Sequence, residues 1–168
     1  MRKHISTFIA VLIFITGLSL LLYPTVSNYF NSLHQSKVVA NYSDKMKKMN
    51  KKEKQAAINA AKAYNKTLLL NDARFTPTED QLAEYKSLLN ADGLGMMGYI
   101  VIPKIHLKLA ISHTVDASVL QVGVGHLEGS SLPVGGKSTH CVLSSHRGLP
   151  SAKLFTELDL LVEGDYFY

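Results

Sequence analysis

The chain has 168 residues, of which 46% are hydrophobic and 18% charged, a balance that excludes a largely disordered polymer and suits one folded module plus connecting segments. Its net charge of +5 is uneven. The basic excess lies before Thr67, and from there on acidic residues outnumber basic ones, so a nucleic-acid partner loses its electrostatic footing.

Arg2 and Lys3 precede an uncharged apolar run from about residue 5 to Tyr23. At roughly 1.5 Å rise per residue such a run spans about 28 Å, close to the hydrocarbon core of a bilayer. It ends on Leu21-Leu22-Tyr23-Pro24 with no small-x-small cleavage pattern, and Tyr23 suits an interfacial anchor. An uncleaved signal-anchor over residues 1–25 is therefore preferred to a cleaved signal peptide, with the N-terminus cytoplasmic and the rest extracytoplasmic. The location expected is the cell membrane, crossed once.

From Val26 to about Lys66, Tyr29, Leu33, Val39, Met46, Met49, Ala56, Ala60 and Tyr64 recur at roughly helical spacing, so residues 26–66 read as one membrane-proximal helical stalk. Its middle, Lys45 to Lys54, is densely basic; a solvated face explains this more simply than contact with anionic lipid or wall polymer. Residues 67–95 read as a loop and short helix, with Thr78 as cap and Asp92-Gly93 as terminator.

Beyond Gly95 the period changes. The run from Gly98 to Ile102, ended by Pro103, and the stretch from Leu107 to Ser112 read as a hairpin-like pair of strands. A helical turn over 116–122, a short strand from Val124, a loop over 129–136 and a strand over 139–146 follow. Residues 150–158 read as a short helix, and Tyr166-Phe167-Tyr168 as the start of a strand.

The chemistry concentrates in Thr139-His-Cys-Val-Leu-Ser-Ser-His146, followed by Arg-Gly-Leu-Pro-Ser-Ala-Lys-Leu-Phe155. A histidine at a strand end is held rigidly with its ring accessible, and its near-neutral pKa suits proton transfer or partnership with a thiolate. This segment resembles the histidine segment of sortases, in particular the class C, pilin-polymerising group. Met97-Gly-Tyr-Ile-Val-Ile-Pro-Lys104 resembles their first barrel strand, and the stretch from Leu120 to Gly136 the next signature, so nearly the whole chain is covered in order.

The resemblance implies an α+β protein: an N-terminal transmembrane helix and helical stalk, followed by an incomplete sortase-type β-barrel over residues 96–168. It implies a transpeptidase using cysteine, histidine and arginine on a Leu-Pro-x-Thr-Gly-like sorting signal, through a thioacyl intermediate resolved by an amine. His146 matches the family histidine. The cysteine and arginine belong to a later segment of the pattern, so the chain as given is expected to be inactive. The partners implied are sorting-signal-bearing surface or pilin proteins and the membrane, with no cofactor and no metal. Oligomeric state is left open. A lid with an Asp-Pro-aromatic motif covers many class C sites; Asp72 and Phe75 occupy about its place without matching it. Ser145 departs from the family's usual glycine beside the histidine. The alternative is a non-catalytic membrane-anchored protein that binds peptides or acts as an adaptor.

Cys141, the only cysteine, excludes an internal disulfide framework. On an extended strand it would lie about 16 Å from His146 and on the opposite face, so it reads as an ordinary buried small residue rather than the nucleophile. Arg147 adjoins the histidine and is no substitute for the family arginine. His140 and His146 would share a face about 20 Å apart, too far for one metal ion. His140 then reads as structural, and His126 as a strand or loop residue without an assigned partner.

Overall fold

A computed structural model describes residues 2–168. The first helix, α1 (Arg2–Lys48), is a single helix of 47 residues that carries straight through Pro24. Proline there removes one backbone donor without ending the helix, so the apolar run and the residues that follow it belong to one helix. Residues 4–26 are exposed on all sides, and the helix is long and apolar enough to cross a membrane.

The stalk is not continuous, contrary to its periodicity. It breaks at Met49 and Asn50, inside the lysine run, and α2 (Lys51–Leu68) restarts there. The local reason is a capping box. The Asn50 side chain accepts from the Glu53 N–H at 2.9 Å, and the Glu53 carboxylate accepts from the Asn50 N–H at 2.8 Å. Asparagine thereby supplies an orphan amide with a partner and makes a helix start more favourable than helix continuation. Helix α3 (Glu79–Ser87) opens on Thr78 with a second capping box, shared with Gln81, as its sequence indicates.

Four strands form one sheet in sequence order: β1 (Met96–Ile102), β2 (Leu107–His113), β3 (Val124–His126) and β4 (Leu143–Ser144). β1 and β2 are antiparallel, joined through a tight turn at Pro103–Ile105 and a left-handed His106. β2 and β3 are parallel, and the intervening connection contains α4 (Ala117–Leu120). β3 and β4 are antiparallel. The architecture is mixed α+β, an open sheet of four strands with helices against it.

The strand expected over 139–146 contracts to Leu143–Ser144. Its N-terminal part is held by the serines of the preceding loop instead: the His140 N–H donates to Ser131 Oγ at 3.1 Å, and the Val142 N–H to Ser130 Oγ at 3.1 Å. The helix expected over 150–158 is replaced by turns and a short 3-10 segment, Leu158–Leu160. Leu154 adopts a left-handed φ of 40°, which a helix does not accept, and Ala152, Leu154 and Phe155 are all buried in the core. At the far end, Tyr168 exchanges two backbone hydrogen bonds with Val101, at 2.7 and 3.0 Å, along the free side of β1.

The core gathers Ile100, Ile102, Leu107, Leu109, Ile111 and Val124 from the sheet with Ala61 of α2, Tyr85 of α3 and Leu132. The other face packs on α1, where Val39 meets Met96 and Ala110. α1 is also fastened by polar contacts. The Gln35 amide, 4% exposed, accepts from the Ala110 N–H at 2.9 Å and donates to the Val122 carbonyl at 2.6 Å. Tyr42 donates to the Met97 carbonyl at 3.0 Å, and the Lys153 N–H donates to Asn28 Oδ1 at 2.8 Å.

Candidate active site

His146 follows β4 by two residues, and its ring is half-buried. Its position comes from the backbone on both sides. Ser145 donates its hydroxyl to the Gly123 carbonyl at 2.6 Å, tying the residue before the histidine to the entry of β3. The Phe155 N–H donates to the His146 carbonyl at 3.1 Å, and the Gly148 N–H to Thr156 Oγ1 at 2.9 Å, folding the 147–156 loop back beneath the histidine. Among the described residues, no hydrogen bond engages the ring itself. Ser145 lies outside the left-handed region, so glycine is not needed there and the hydroxyl has a partner of its own.

Cys141 is half-buried rather than fully enclosed. Burial nevertheless pushes its thiol up to about 11, so the thiolate is scarce near neutral pH. It has no hydrogen bond to His146. Arg147 is exposed and pairs with Asp159 at 2.9 Å, outside any enclosed site.

His126, His140 and His146 have separate surroundings, and no cluster of His, Cys, Asp or Glu suited to a metal ion occurs among the described residues. His126 is fully buried. Its Nε2 meets the Ser131 carbonyl at 2.9 Å, and its Nδ1 the Tyr85 hydroxyl at 2.9 Å. A carbonyl only accepts, so the ring hydrogen belongs on Nε2 and Nδ1 accepts from Tyr85. Burial holds His126 below its ordinary pKa, opposed by the Ser131 hydrogen bond and reinforced by His113. His140 corrects its structural reading: its ring is exposed, and only its backbone is built in, through Ser131.

Asp72 and Phe75 are both exposed, and neither makes a hydrogen bond or ion pair with His146. Their segment is seated elsewhere. A Cβ on Gly129 would overlap the Arg74 carbonyl and crowd the Phe75 ring, so the loop lies directly on Gly129. Arg74 covers the Phe75 ring at 5.1 Å.

Sequence reasoning missed the fastening of α1 through Asn28 and Gln35, which ties the helix to the loop after His146 and to β2 and β3. A polar residue on the sheet-facing side of an otherwise apolar stripe, Gln35 near Val39, was the available signal. It also missed the Tyr85–His126 pairing, which no local pattern reveals.

The fold of this chain has counterparts among known proteins. The sortase domain family model matches residues 100–168. The chain belongs to the sortase family. Within it the likeness is to class C: sortase C1 from Streptococcus agalactiae is 44% identical, with a TM-score of 0.73 over 78% of this chain and 68% of that one. Sortase C-1 from Actinomyces oris is 40% identical, with a TM-score of 0.60 over 68% and 65% of the two chains. Sortase C from Streptococcus pneumoniae is 35% identical, at 0.60 over 79% and 66%. The chain thus spans about two thirds of the length of these structures. A comparison with curated protein sequences returns no significant match.

Proposed function

We propose that these residues form the membrane-anchored, histidine-bearing part of a sortase-type cysteine transpeptidase. The observation that carries the reading is His146, held at the end of β4 by Ser145 and Phe155 with no hydrogen bond to its ring among the described residues. In such an enzyme a thiolate attacks the backbone carbonyl of a Leu-Pro-x-Thr-Gly-like signal, and His146 gives its proton to the departing amine as the thioester forms. An incoming amine then attacks the thioester and regenerates the thiol. An arginine steadies the oxyanion in both steps. The S. pneumoniae relative is described in connection with pilin substrate specificity, which favours surface or pilin proteins as partners here.

Neither the thiol nor the arginine of this scheme is assigned to the described residues. Cys141, pushed up to about 11 and half-buried, is a poor nucleophile. These 168 residues alone are therefore inactive in this reading. Residues 1–25 cross the membrane, with Arg2 and Lys3 inside, and 26–66 form the stalk. The loop within 67–95 is the lid, seated on Gly129 through Arg74 and the Phe75 ring, with Asp72 exposed. Residues 96–168 contribute four strands to the barrel.

A chimera tests this directly: residues 1–168 joined to the remaining C-terminal part of S. agalactiae sortase C1, assayed on a fluorescence-quenched sorting peptide. The chimera should cleave the peptide, and His146→Ala should lower kcat/KM by about 10²–10⁴. The unextended chain should leave the peptide intact. Full activity in the folded His146→Ala chimera would remove His146 from the mechanism.

A further inference from the structure

We propose that the edge of the domain carrying Leu158, Leu160 and Val162 rests on the outer surface of the bilayer that α1 crosses. This inference builds on the anchor reading of residues 1–25.

The order of contacts along α1 sets the orientation. The helix runs unbroken from the apolar stretch into the domain, so the pinned residues act as height marks. Asn28 holds the Lys153 N–H, Gln35 holds Ala110 and Val122, and Tyr42 holds Met97. Of the pinned segments, the one around Lys153 is thus nearest the apolar stretch. Asn28 lies about 7 Å beyond Tyr23 along the axis at roughly 1.5 Å per residue. The polar layer outside the hydrocarbon is about 5–7 Å deep on each side. The Lys153 backbone therefore stands at headgroup depth or just above it.

Leu160 lines the same cleft as Asn28 and Lys153, an opening of about 490 Å³ between α1 and this edge. It is 55% exposed, and its neighbours Leu158 and Val162 are 36% and 64% exposed. Leu160, uncovered at this height and flanked in sequence by exposed Leu158 and Val162, matches the headgroup–acyl boundary, where apolar groups are favoured and charged groups remain hydrated. The cations nearby have partners: Lys104 pairs with Asp165 at 2.9 Å, Lys153 with Glu157 at 2.6 Å and Arg147 with Asp159 at 2.9 Å, and Lys108, in the same cleft, lies over the Tyr99 ring at 4.8 Å. The contact is consequently apolar, and independent of anionic lipid. Because the pinned loop is the one that follows His146, docking would also hold that histidine at a set height above the membrane.

Single labels read this out. In a Cys141→Ala background, an environment-sensitive fluorophore is placed by Leu160→Cys, Lys137→Cys or Phe14→Cys, and the full chain is reconstituted into phosphatidylcholine vesicles with and without phosphatidylglycerol. Lys137 marks the far end, since the preceding Val134 lines a cleft with Met46 and Met49. The label at 160 should be quenched by lipids with a nitroxide near the headgroup, and should resist aqueous iodide several-fold better than the label at 137, equally in both lipids. Iodide quenching at 160 as strong as at 137 overturns the proposal. Shielding from both iodide and nitroxide lipid means protein covers the edge, and overturns it too. A label at 14 that escapes mid-bilayer quenchers defeats the anchor reading itself, and the docking with it; normal quenching at 14 confines any failure to the docking. Introducing Val162→Ser alongside the label at 160 should raise its iodide access, while unchanged access would count against contact by this edge.

Discussion

Buried between Tyr85 and Ser131, the His126 ring is neutral in the folded state because burial lowers its pKa. In the unfolded chain the same ring takes a proton near its ordinary value of about 6.5. Below that pH the unfolded state binds more protons, so stability falls as pH falls; above it the contribution is complete. Thermal unfolding measured from pH 8 to pH 5 should show a decline in Tm below about pH 6.5, and His126→Asn should flatten that decline. Equal slopes for both proteins would mean that His126 does not govern the dependence. Cys141 behaves oppositely in chemical terms: raised to about 11, it remains a thiol over the same range and is a slow target for alkylation.

At the scale of elements, the apolar contact between α1 and the sheet is reinforced by a buried amide. Gln35 bridges β2, through Ala110, to the residue leading into β3, through Val122. Gln35→Ala would leave a buried N–H and a carbonyl short of partners, at a cost of about 1–3 kcal/mol. Urea denaturation should show that loss, and amide exchange at Ala110 should quicken more than exchange at Ile100 on the neighbouring strand. A denaturation midpoint unchanged from wild type would show that water replaces the amide without penalty. Elements with a strong local pattern were legible without coordinates. The strands at 98–102 and 107–112 are continuous or alternating apolar runs bounded by Pro103 and Gly98, and α3 announces itself through Thr78. The break at Asn50 was not legible from helical spacing alone, because apolar residues at Met46, Met49 and Ala56 keep the period while a cap decides against continuity. The segment after His146 misled for a different reason. Its apolar residues, Ala152, Leu154 and Phe155, match a helix start, but each is drawn into the core from a turn.

For the molecule as a whole, α1 carries the apolar run and the residues that pack on the sheet in one helix. Membranes carrying the chain should retain it through alkaline carbonate extraction, whereas a variant lacking residues 1–25 should appear in the supernatant. Release of the full chain under those conditions would contradict the span. The apolar run, the charge asymmetry, the strand pair and the ordered family motifs were all determined by the sequence by itself, because each is expressed by residues close together in the chain. Only tertiary structure decided how these parts meet. The partner of His126 is Tyr85, 41 residues away, and the residues that fasten the His146 loop and the sheet to α1 are Asn28 and Gln35, separated by 125 residues from Lys153 and 75 from Ala110. Such pairings depend on which buried polar groups are left needing a partner once the sheet has packed, and that need arises only in the assembled core.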